Sequence, residues 1–425
     1  MRVTFLTQWF EPEPGAIRGL PLARELVRRG IAVDVVTGFP NYPGGRVYPG
    51  YRVRPWCRES IDGVSVLRVA LFPSHSRNPF GRVANYGSFA LSAGVLGPRL
   101  TPPSDILYVY HPPPTVGLAA AAFQRRRNIP IVYHIADMWP DSVVESGMLG
   151  NHTTKRVVGD ALGAYCKWVY RQASAITVLS PGFKQLLVER GVPADRVHVV
   201  YNWADDELFH PMPRDEMLAQ ELGMAGKFNV VYAGNFGAFQ GLETVIQAAE
   251  RLRHVDALQV VLVGTGVEEE RLRALTTRLK LTNVRFVSRR PMSDMPRINA
   301  LSDVLLTHLR DLPFFASTIP SKTQVSLASG RPVIMAVRGD AASLISEAGA
   351  GSVVPPESVD DLARAMFDLY SMPAEQRERL GALGHQYYMR EMSLGVGTSK
   401  MIDIFQRLAS HDSRPLPARM PLATA

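Results

Sequence analysis

The chain has 425 residues, 46% of them apolar and 20% charged, which excludes an intrinsically disordered polymer and exceeds what one ordinary core needs. Its two cysteines, Cys57 and Cys166, exclude a disulfide framework and a cysteine-only zinc site, so a reducing cytoplasm is the expected compartment. The net charge of +8 is uneven: residues 1–202 hold 23 Lys and Arg against 13 Asp and Glu, and residues 203–425 hold 24 against 26. The basic excess therefore lies wholly in the first half. It either faces an acidic surface, such as anionic lipid or a phosphate-bearing acceptor, or is scattered solubility charge. No nucleic-acid-binding motif accompanies it, so nucleic acid is not expected as a partner.

The first element is an apolar strand over residues 3–9, followed by the loop Glu11-Pro12-Glu13-Pro14-Gly15. Arg2 leads straight into that strand and Glu11 interrupts the apolar run, so no signal peptide is read here. A helical pattern spans 17–29, with Leu22, Leu26 and Val27 on one face and Gly30 as its stop. Further strands are expected at 31–37, 64–69, 106–110, 131–134, 176–179 and 197–200, mostly with helices between them. The uncharged stretch 106–124 contains Pro112, Pro113 and Pro114, so it does not read as a membrane span.

Residues 203–226 change character. They hold Asp205, Asp206, Pro211 and Pro213 and read as a linker, with Asp205-Asp206-Glu207 as solvated charge. A second alternation then places strands at 228–233, 258–263, 284–287, 304–307 and 332–335. A last helix is expected over 394–410, and the Pro- and Ala-rich tail 411–425 is expected to be disordered. Apolar strands alternating with helices predict an α/β chain of two Rossmann-like, doubly wound parallel-sheet domains, 1–202 and 227–393. Ligands of such sheets bind beyond the carboxyl ends of the strands, and two such units facing each other predict a central cleft.

Four strand-to-helix junctions stand out. The run from Gly234 through Asn235, Gly237 and Gln240 to Gly241 lets backbone approach a ligand and opens a helix whose free N–H groups suit a phosphate. The alternative is an empty turn. Gly264-Thr265-Gly266 follows the next strand. Glu269 stands where a dinucleotide fingerprint needs its third glycine, which speaks against a dehydrogenase. In Ile319-Pro320-Ser321-Lys322, Ser321 reads as the N-cap of a helix over 322–329. Lys322 then falls in the first turn, where the helix dipole disfavours a cation unless an anion binds. Only seven of the 47 basic residues are lysines, which favours a function for this one over plain solvated charge. The fourth junction is Pro14-Gly15-Ala16.

His111 and His134 end neighbouring strands, and Asp137 lies three residues beyond His134. Asp137 could orient His134 or take a hydroxyl proton, with Asp141 and Glu145 as substitutes. No Asp-x-Asp pair, nucleophile elbow or metal-ligand spacing appears, so neither metal nor cofactor is expected.

Taken together, several motifs carry a family resemblance over residues 1–410. They are Gly38-Phe39-Pro40-Asn41-Tyr42-Pro43-Gly44, Asp137-Met138-Trp139-Pro140, Asn202-Trp203-Ala204-Asp205, Ala233-Gly234-Asn235-Phe236-Gly237 and Gln240-Gly241-Leu242. A final stretch runs from Ile319-Pro320-Ser321-Lys322 to Leu327-Ala328-Ser329-Gly330-Arg331-Pro332-Val333. The chain resembles the family-four glycosyltransferases of the GT-B fold, in the bacterial branch of colanic-acid and O-antigen enzymes that includes N-acetyl-fucosaminyl transferases.

The resemblance implies a retaining, metal-independent transfer from a UDP-sugar, of N-acetylated hexosamine type, to a lipid-linked or phosphoglycolipid acceptor. It implies donor contacts from Gly15, Gly234, Asn235, Gly237, Gln240, Gly264, Ser317, Thr318, Ser321 and Lys322. His134 matches the family histidine that approaches the transferred sugar; with Asp137, read from its place near His134, it is the expected catalytic pair, and Arg18 and His111 are the expected acceptor contacts. The resemblance also implies that the last helix crosses back to the first domain; the cysteine usage and the basic first half, for their part, point to a cytoplasmic protein with peripheral contact at the inner face of the membrane.

Two departures stand out. Asn235 and Gln240 occupy the positions of the family's diphosphate-binding Arg and Lys. Ser317 and Val325 occupy those of its two Glu, the second of which holds the donor ribose. Lys322 and the helix N-termini at Gly241 and Lys322 are the expected substitutes for the lost charge. A sugar-nucleotide 2-epimerase of the same fold and an inactive nucleotide-sugar-binding homologue are the alternatives. The arginine-rich, Ala/Pro-rich style leaves antibiotic biosynthesis open beside envelope polysaccharide.

Overall fold

The computed structural model describes residues 1–14, 18–75, 79–141 and 152–411. Gly15 and Glu145 of the sequence reading lie outside them, as does the tail from 412. The chain divides into two compact units. Unit 1 comprises Met1–Val178, Leu186–Val200 and the chain from Thr398; unit 2 comprises Leu179–Gln185 and Tyr201–Gly397.

Unit 1 contains β1 (Arg2–Leu6), β2 (Ala32–Gly38), β3 (Trp56–Ile61), β4 (Val64–Val69), β5 (Ile106–His111), β6 (Ile131–Ile135), β7 (Ala175–Val178) and β8 (Val197–Val199). Their order in the sheet is β3-β4-β2-β1-β5-β6-β7-β8. All neighbours are parallel except β3 and β4. The inner strands are apolar on both sides because helices cover both faces, and every residue of β6 is buried. β3 is absent from the sequence reading. It is an edge strand whose residues alternate between exposed and half-buried, so its apolar signal is weak. The Asp62-Gly63 turn, with φ of 50° and 79°, is the two-residue hairpin connection that joins it to β4.

Unit 2 contains β9 (Phe228–Asn235), β10 (Leu258–Thr265), β11 (Val284–Val287), β12 (Val304–His308), β13 (Val333–Ala336) and β14 (Gly351–Val353). The order is β11-β10-β9-β12-β13-β14, all parallel. Order reverses beside β9 and β12, the position where such sheets open a crevice at their carboxyl edge.

Residues 203–226 are not a bare connection. Trp203, Phe209, Leu222 and Met224 are buried, and the helix Glu216–Glu221 is capped by the Asp215 carboxylate, which accepts from Leu218 N–H at 3.0 Å. The apolar residues there are spaced by prolines and show no period, so the sequence conceals the packing.

Asp205-Asp206 corrects the reading as solvated charge. Asp205 Oδ1 accepts from the N–H groups of Glu207 and Leu208, each at 3.1 Å. Asp206 accepts from the hydroxyl of buried Tyr388 and, at 2.9 Å, from Leu394 N–H. That last bond satisfies a free donor at the start of the helix Leu394–His411. Asp206→Ala leaves the helix start without its acceptor and Tyr388 with only the Ala204 carbonyl at 3.5 Å. We predict a loss of about 1–3 kcal/mol, measured as a lower urea midpoint; a wild-type midpoint would show that these bonds are dispensable.

Candidate functional site

In unit 2, β9 and β10 run in register to their ends, with Gly264 beside Gly234 and Thr265 beside Asn235. Gly234 and Gly264 have φ of +149° and +147°, a region that side chains disfavour. A Cβ on Gly264 would stand 1.9 Å from the Gly234 carbonyl oxygen, and one on Gly234 would stand 2.5 Å from Lys322 Cε. The glycine pair therefore forms a floor of bare backbone. Above it opens a cavity of about 890 Å³. Of the expected residues, Gly234, Asn235, Gln240, Gly264, Ser321 and Lys322 line it.

Lys322 is the second residue of the helix Ser321–Ala328, whose N-cap is Pro320. Ser321 is thus the first helical residue rather than the cap, which is Pro320. Lys322 Nζ lies 3.5 Å from the centroid of the Tyr232 ring, a cation–π contact. The Tyr232 hydroxyl in turn donates to the Asn235 carbonyl at 2.8 Å. Lys322 has no ion pair among the described residues. No Asp or Glu lines the cavity among the described residues. Burial pushes its ammonium down from 10.5 to about 7.

The loop from Asn235 to Gly241 is fixed from outside. His308 Nδ1 and the Gln240 carbonyl are 2.7 Å apart, while Glu357 N–H donates to His308 Nε2 at 3.3 Å. Nε2 therefore accepts, so Nδ1 carries the proton and donates; burial, which lowers this imidazole's pKa, keeps the ring neutral. The Gln240 side chain accepts from Gly237 N–H at 3.1 Å. Gly241, with φ of +57°, precedes the helix Leu242–Arg251. Gly237, Ser317 and Thr318 do not line the cavity. The Ser317 carbonyl accepts from the Ser180 hydroxyl at 2.6 Å, and the Thr318 hydroxyl donates to the Phe314 carbonyl at 3.2 Å. Val325 does line it, at a place where it offers no polar atom.

Arg289 and Arg290 are lining residues that the sequence reading missed. Arg290 donates to Glu221 at 2.9 Å. Their position just beyond the carboxyl end of β11 was the available signal.

In unit 1, strand register assembles a second group. Tyr110 pairs with His134 across β5 and β6, and His134 with Thr177 across β6 and β7. The Tyr110 and His134 rings stack at 5.6 Å. His134 Nδ1 meets the Thr177 hydroxyl at 2.9 Å, and its Nε2 has no hydrogen-bond partner among the described residues. Burial holds this imidazole neutral, with Arg18 and His111 adding to the effect. Asp137 does not orient His134; Thr177 does, because the strand ladder brings it level while Asp137 lies beyond the strand end and is exposed.

Arg18 and His111, expected at an acceptor, are 1% and 0% exposed. Arg18 donates to the Val200 carbonyl, and His111 is pushed down to about 4 by burial. As they stand, both are interior groups rather than surface contacts. Asp141 is tied to Arg190. Among the described residues no group of three or more His, Cys, Asp or Glu side chains is gathered as a metal would need.

The Lys322 pKa carries a stability signature. The unfolded chain holds this proton up to 10.5 and the folded chain only to about 7, so from this group the ligand-free protein gains stability as pH rises across that window. Below it the full cost is present. Lys322→Met should therefore raise the melting midpoint of the ligand-free protein most below the window, with the gain vanishing at its upper end. A lowered midpoint would contradict the assignment.

Two family models match the chain. The glycosyl transferase 4-like domain covers residues 17–203, and glycosyl transferases group 1 covers residues 214–386. The putative colanic acid biosynthesis glycosyl transferase WcaI of Escherichia coli K12 is 27% identical over 82% of this chain and 86% of its own. The structure of Anabaena HepE in complex with UDP superposes with a TM-score of 0.68 at 18% identity, over 96% of this chain and all of that one. Sucrose-phosphate synthase of Thermosynechococcus elongatus gives 0.72 at 17%, over 96% of this chain and all of its own. At these structural identities the likeness is one of fold. Together the two matched models span most of the chain, which carries a glycosyl transferase 4-like domain followed by a glycosyl transferases group 1 domain in the fold of the GT-B glycosyltransferases.

Proposed function

We propose that the chain transfers a sugar from a UDP-sugar to a lipid-linked or phosphoglycolipid acceptor in envelope polysaccharide biosynthesis, with retention and without a metal. The observation that carries this reading is the Lys322 ammonium, without an ion pair among the described residues and facing a glycine floor in a cavity with no carboxylate. A diphosphate supplies the missing anion. The UDP and UDP-glucose complexes of HepE favour uridine as the nucleoside. WcaI's colanic-acid name and the basic first half favour an anionic lipid-linked acceptor, and the resemblance to N-acetyl-fucosaminyl transferases favours an N-acetylated hexosamine-type sugar.

In this mechanism the bond from the sugar's anomeric carbon to the diphosphate oxygen breaks, and UDP leaves with the electron pair. Lys322, the backbone N–H groups at Gly234 and Gly264, and the helix start at Gly241 stabilise that charge. The acceptor oxygen bonds to the same face of the anomeric carbon and its proton passes to the leaving phosphate. Asn235 and Gln240 donate neutral hydrogen bonds. His134, neutral and backed by Thr177, offers Nε2 to a sugar hydroxyl. Asp137 is the carboxylate available to the acceptor.

Val325 favours a second reading, a nucleotide-sugar-binding homologue without turnover, because it removes a polar contact from the cavity. Nucleotides and turnover separate the readings. UDP, and not GDP or ADP, should raise the melting midpoint according to RT ln(1 + [L]/Kd), and UDP-sugar turnover should require acceptor. UDP stabilisation without turnover would leave the binding homologue; a changed sugar configuration without acceptor would mean an epimerase. Donor kcat/KM should fall as pH rises through about 7, and Lys322→Arg, which stays charged, should abolish that fall. A profile unchanged by Lys322→Arg would remove Lys322 from the mechanism.

A further inference from the structure

In unit 1, four aromatic rings gather beyond the carboxyl ends of the strands. Trp9 follows β1, Tyr42 follows β2, His75 follows β4, and Tyr86 lies on the helix Pro79–Leu100. The Trp9 ring is 5.1 Å from Tyr42 at 40° and 6.3 Å from Tyr86 at 78°, and the Tyr42 ring is 4.9 Å from His75 at 88°. The two edge contacts turn the group into a corner rather than a flat stack, and each ring stays half-buried.

Two buried polar residues fix that corner. The Glu13 carboxylate, 1% exposed, accepts from the N–H groups of Asn41 and Tyr42 at 2.8 Å each and of Phe10 at 3.2 Å. It thereby ties the segment that carries Trp9 to the loop that carries Tyr42. Burial pushes its pKa up, so the carboxylate is held there at a cost. Asn85, also buried, accepts from Gln8 Nε2 at 2.5 Å and donates to Asn41 Oδ1 at 3.2 Å and to the Phe72 carbonyl at 2.7 Å. It sets the helix turn bearing Tyr86 against the same loop. Buried polar groups of this kind cost free energy that apolar packing would not, and they hold separate loops to one geometry.

What the corner leaves unsatisfied describes its occupant. The Tyr42 and Tyr86 hydroxyls have no hydrogen-bond partner among the described residues, and neither has the buried Gln8 Oε1 next to Trp9. Burial, and after it Arg82, lowers the His75 pKa, so that ring is uncharged at neutral pH. Arg82 acts on Tyr86 as well, which sets it near two of the rings, where it disfavours a cationic occupant. Aromatic faces rimmed by uncharged donors and acceptors suit a pyranose. Its C–H face packs on the rings while its hydroxyls bond at their edges. A hydrocarbon chain would use the faces and offer nothing to the hydroxyls or to Gln8.

We propose that Trp9, Tyr42, His75 and Tyr86 form a binding site for a neutral pyranose ring, with Glu13 and Asn85 as positioning residues. Assigning that ring to the acceptor rests on the transferase reading above. The acceptor is then a molecule that already carries a sugar, supplied by an earlier sugar transfer. The site also provides the accessible contact that the interior groups Arg18 and His111 do not.

The test is saturation-transfer NMR on the full chain, with UDP present to occupy unit 2. The probes are methyl β-glucoside, methyl β-galactoside and methyl N-acetyl-β-glucosaminide, run beside prenol and tetramethylammonium. At least one glycoside should receive saturation on its ring C–H protons, and Trp9→Ala should weaken its binding about tenfold. Tyr86→Phe keeps the ring and removes only the hydroxyl. It should weaken binding by a smaller factor at an unchanged melting midpoint, which keeps the test decisive if Trp9→Ala fails to fold. No saturation of any glycoside would overturn the proposal, as would glycoside binding indifferent to both variants, or Trp9-dependent binding of prenol or tetramethylammonium in the glycosides' place. A chain that binds a glycoside but ignores UDP would keep this inference and remove the donor assignment. A chain whose melting midpoint rises with UDP but that binds no glycoside would do the reverse.

Discussion

The second unit is organised around one unsatisfied charge. Parallel pairing carries β9 and β10 to a common end, and one residue before it, at Gly234 and Gly264, neither strand tolerates a side chain. The bare floor admits the Lys322 stem, whose ammonium rests on the Tyr232 ring. A ring face stabilises a cation less than a carboxylate does. The free protein therefore holds this amine at a cost, seen as its lowered affinity for a proton. Such a cost persists where a ligand offsets it. The His308 bridge between Gln240 and Glu357 serves the same end, fixing the loop that borders the cavity so that the ligand need not order it.

Unit 1 uses burial in the opposite sense. His111 and His134 are enclosed where the imidazolium is disfavoured, so both stay neutral at physiological pH. A neutral His134, its Nδ1 engaged by Thr177, presents one defined nitrogen for a neutral hydroxyl rather than a charge for a phosphate. Positive charge in this unit lies mainly on its arginines instead, among them Arg99, Arg125 and Arg126.

The sequence makes the alternation of strands and helices legible because inner parallel strands are apolar without interruption, as in β6, β9 and β10. β3 escapes because an edge strand half exposed to water has little apolar signal, and only its Asp-Gly turn announces it. Asp206 is misread for a related reason: an acidic triplet looks solvated until the fold brings Tyr388 and Leu394, far along the chain, onto it. At the candidate site the glycines, Lys322 and His134 are legible because each sits at a strand end or helix start. Thr177 is not, since its role exists only through the register of β6 and β7. Arg18 and His111 show the converse. A polar residue at a strand end is placed by sequence, but whether it faces a ligand or the core is decided by packing.

The most direct test of the central claim is to follow the Lys322 side chain itself. Proteins labelled with ¹³C in lysine, compared with Lys322→Arg to assign the signal among seven lysines, report the titration of its Cε by NMR. The midpoint is expected near 7 in the free protein, moving upward when UDP is added because the diphosphate stabilises the ammonium. A midpoint at the ordinary lysine value of 10.5, unmoved by UDP, would contradict it.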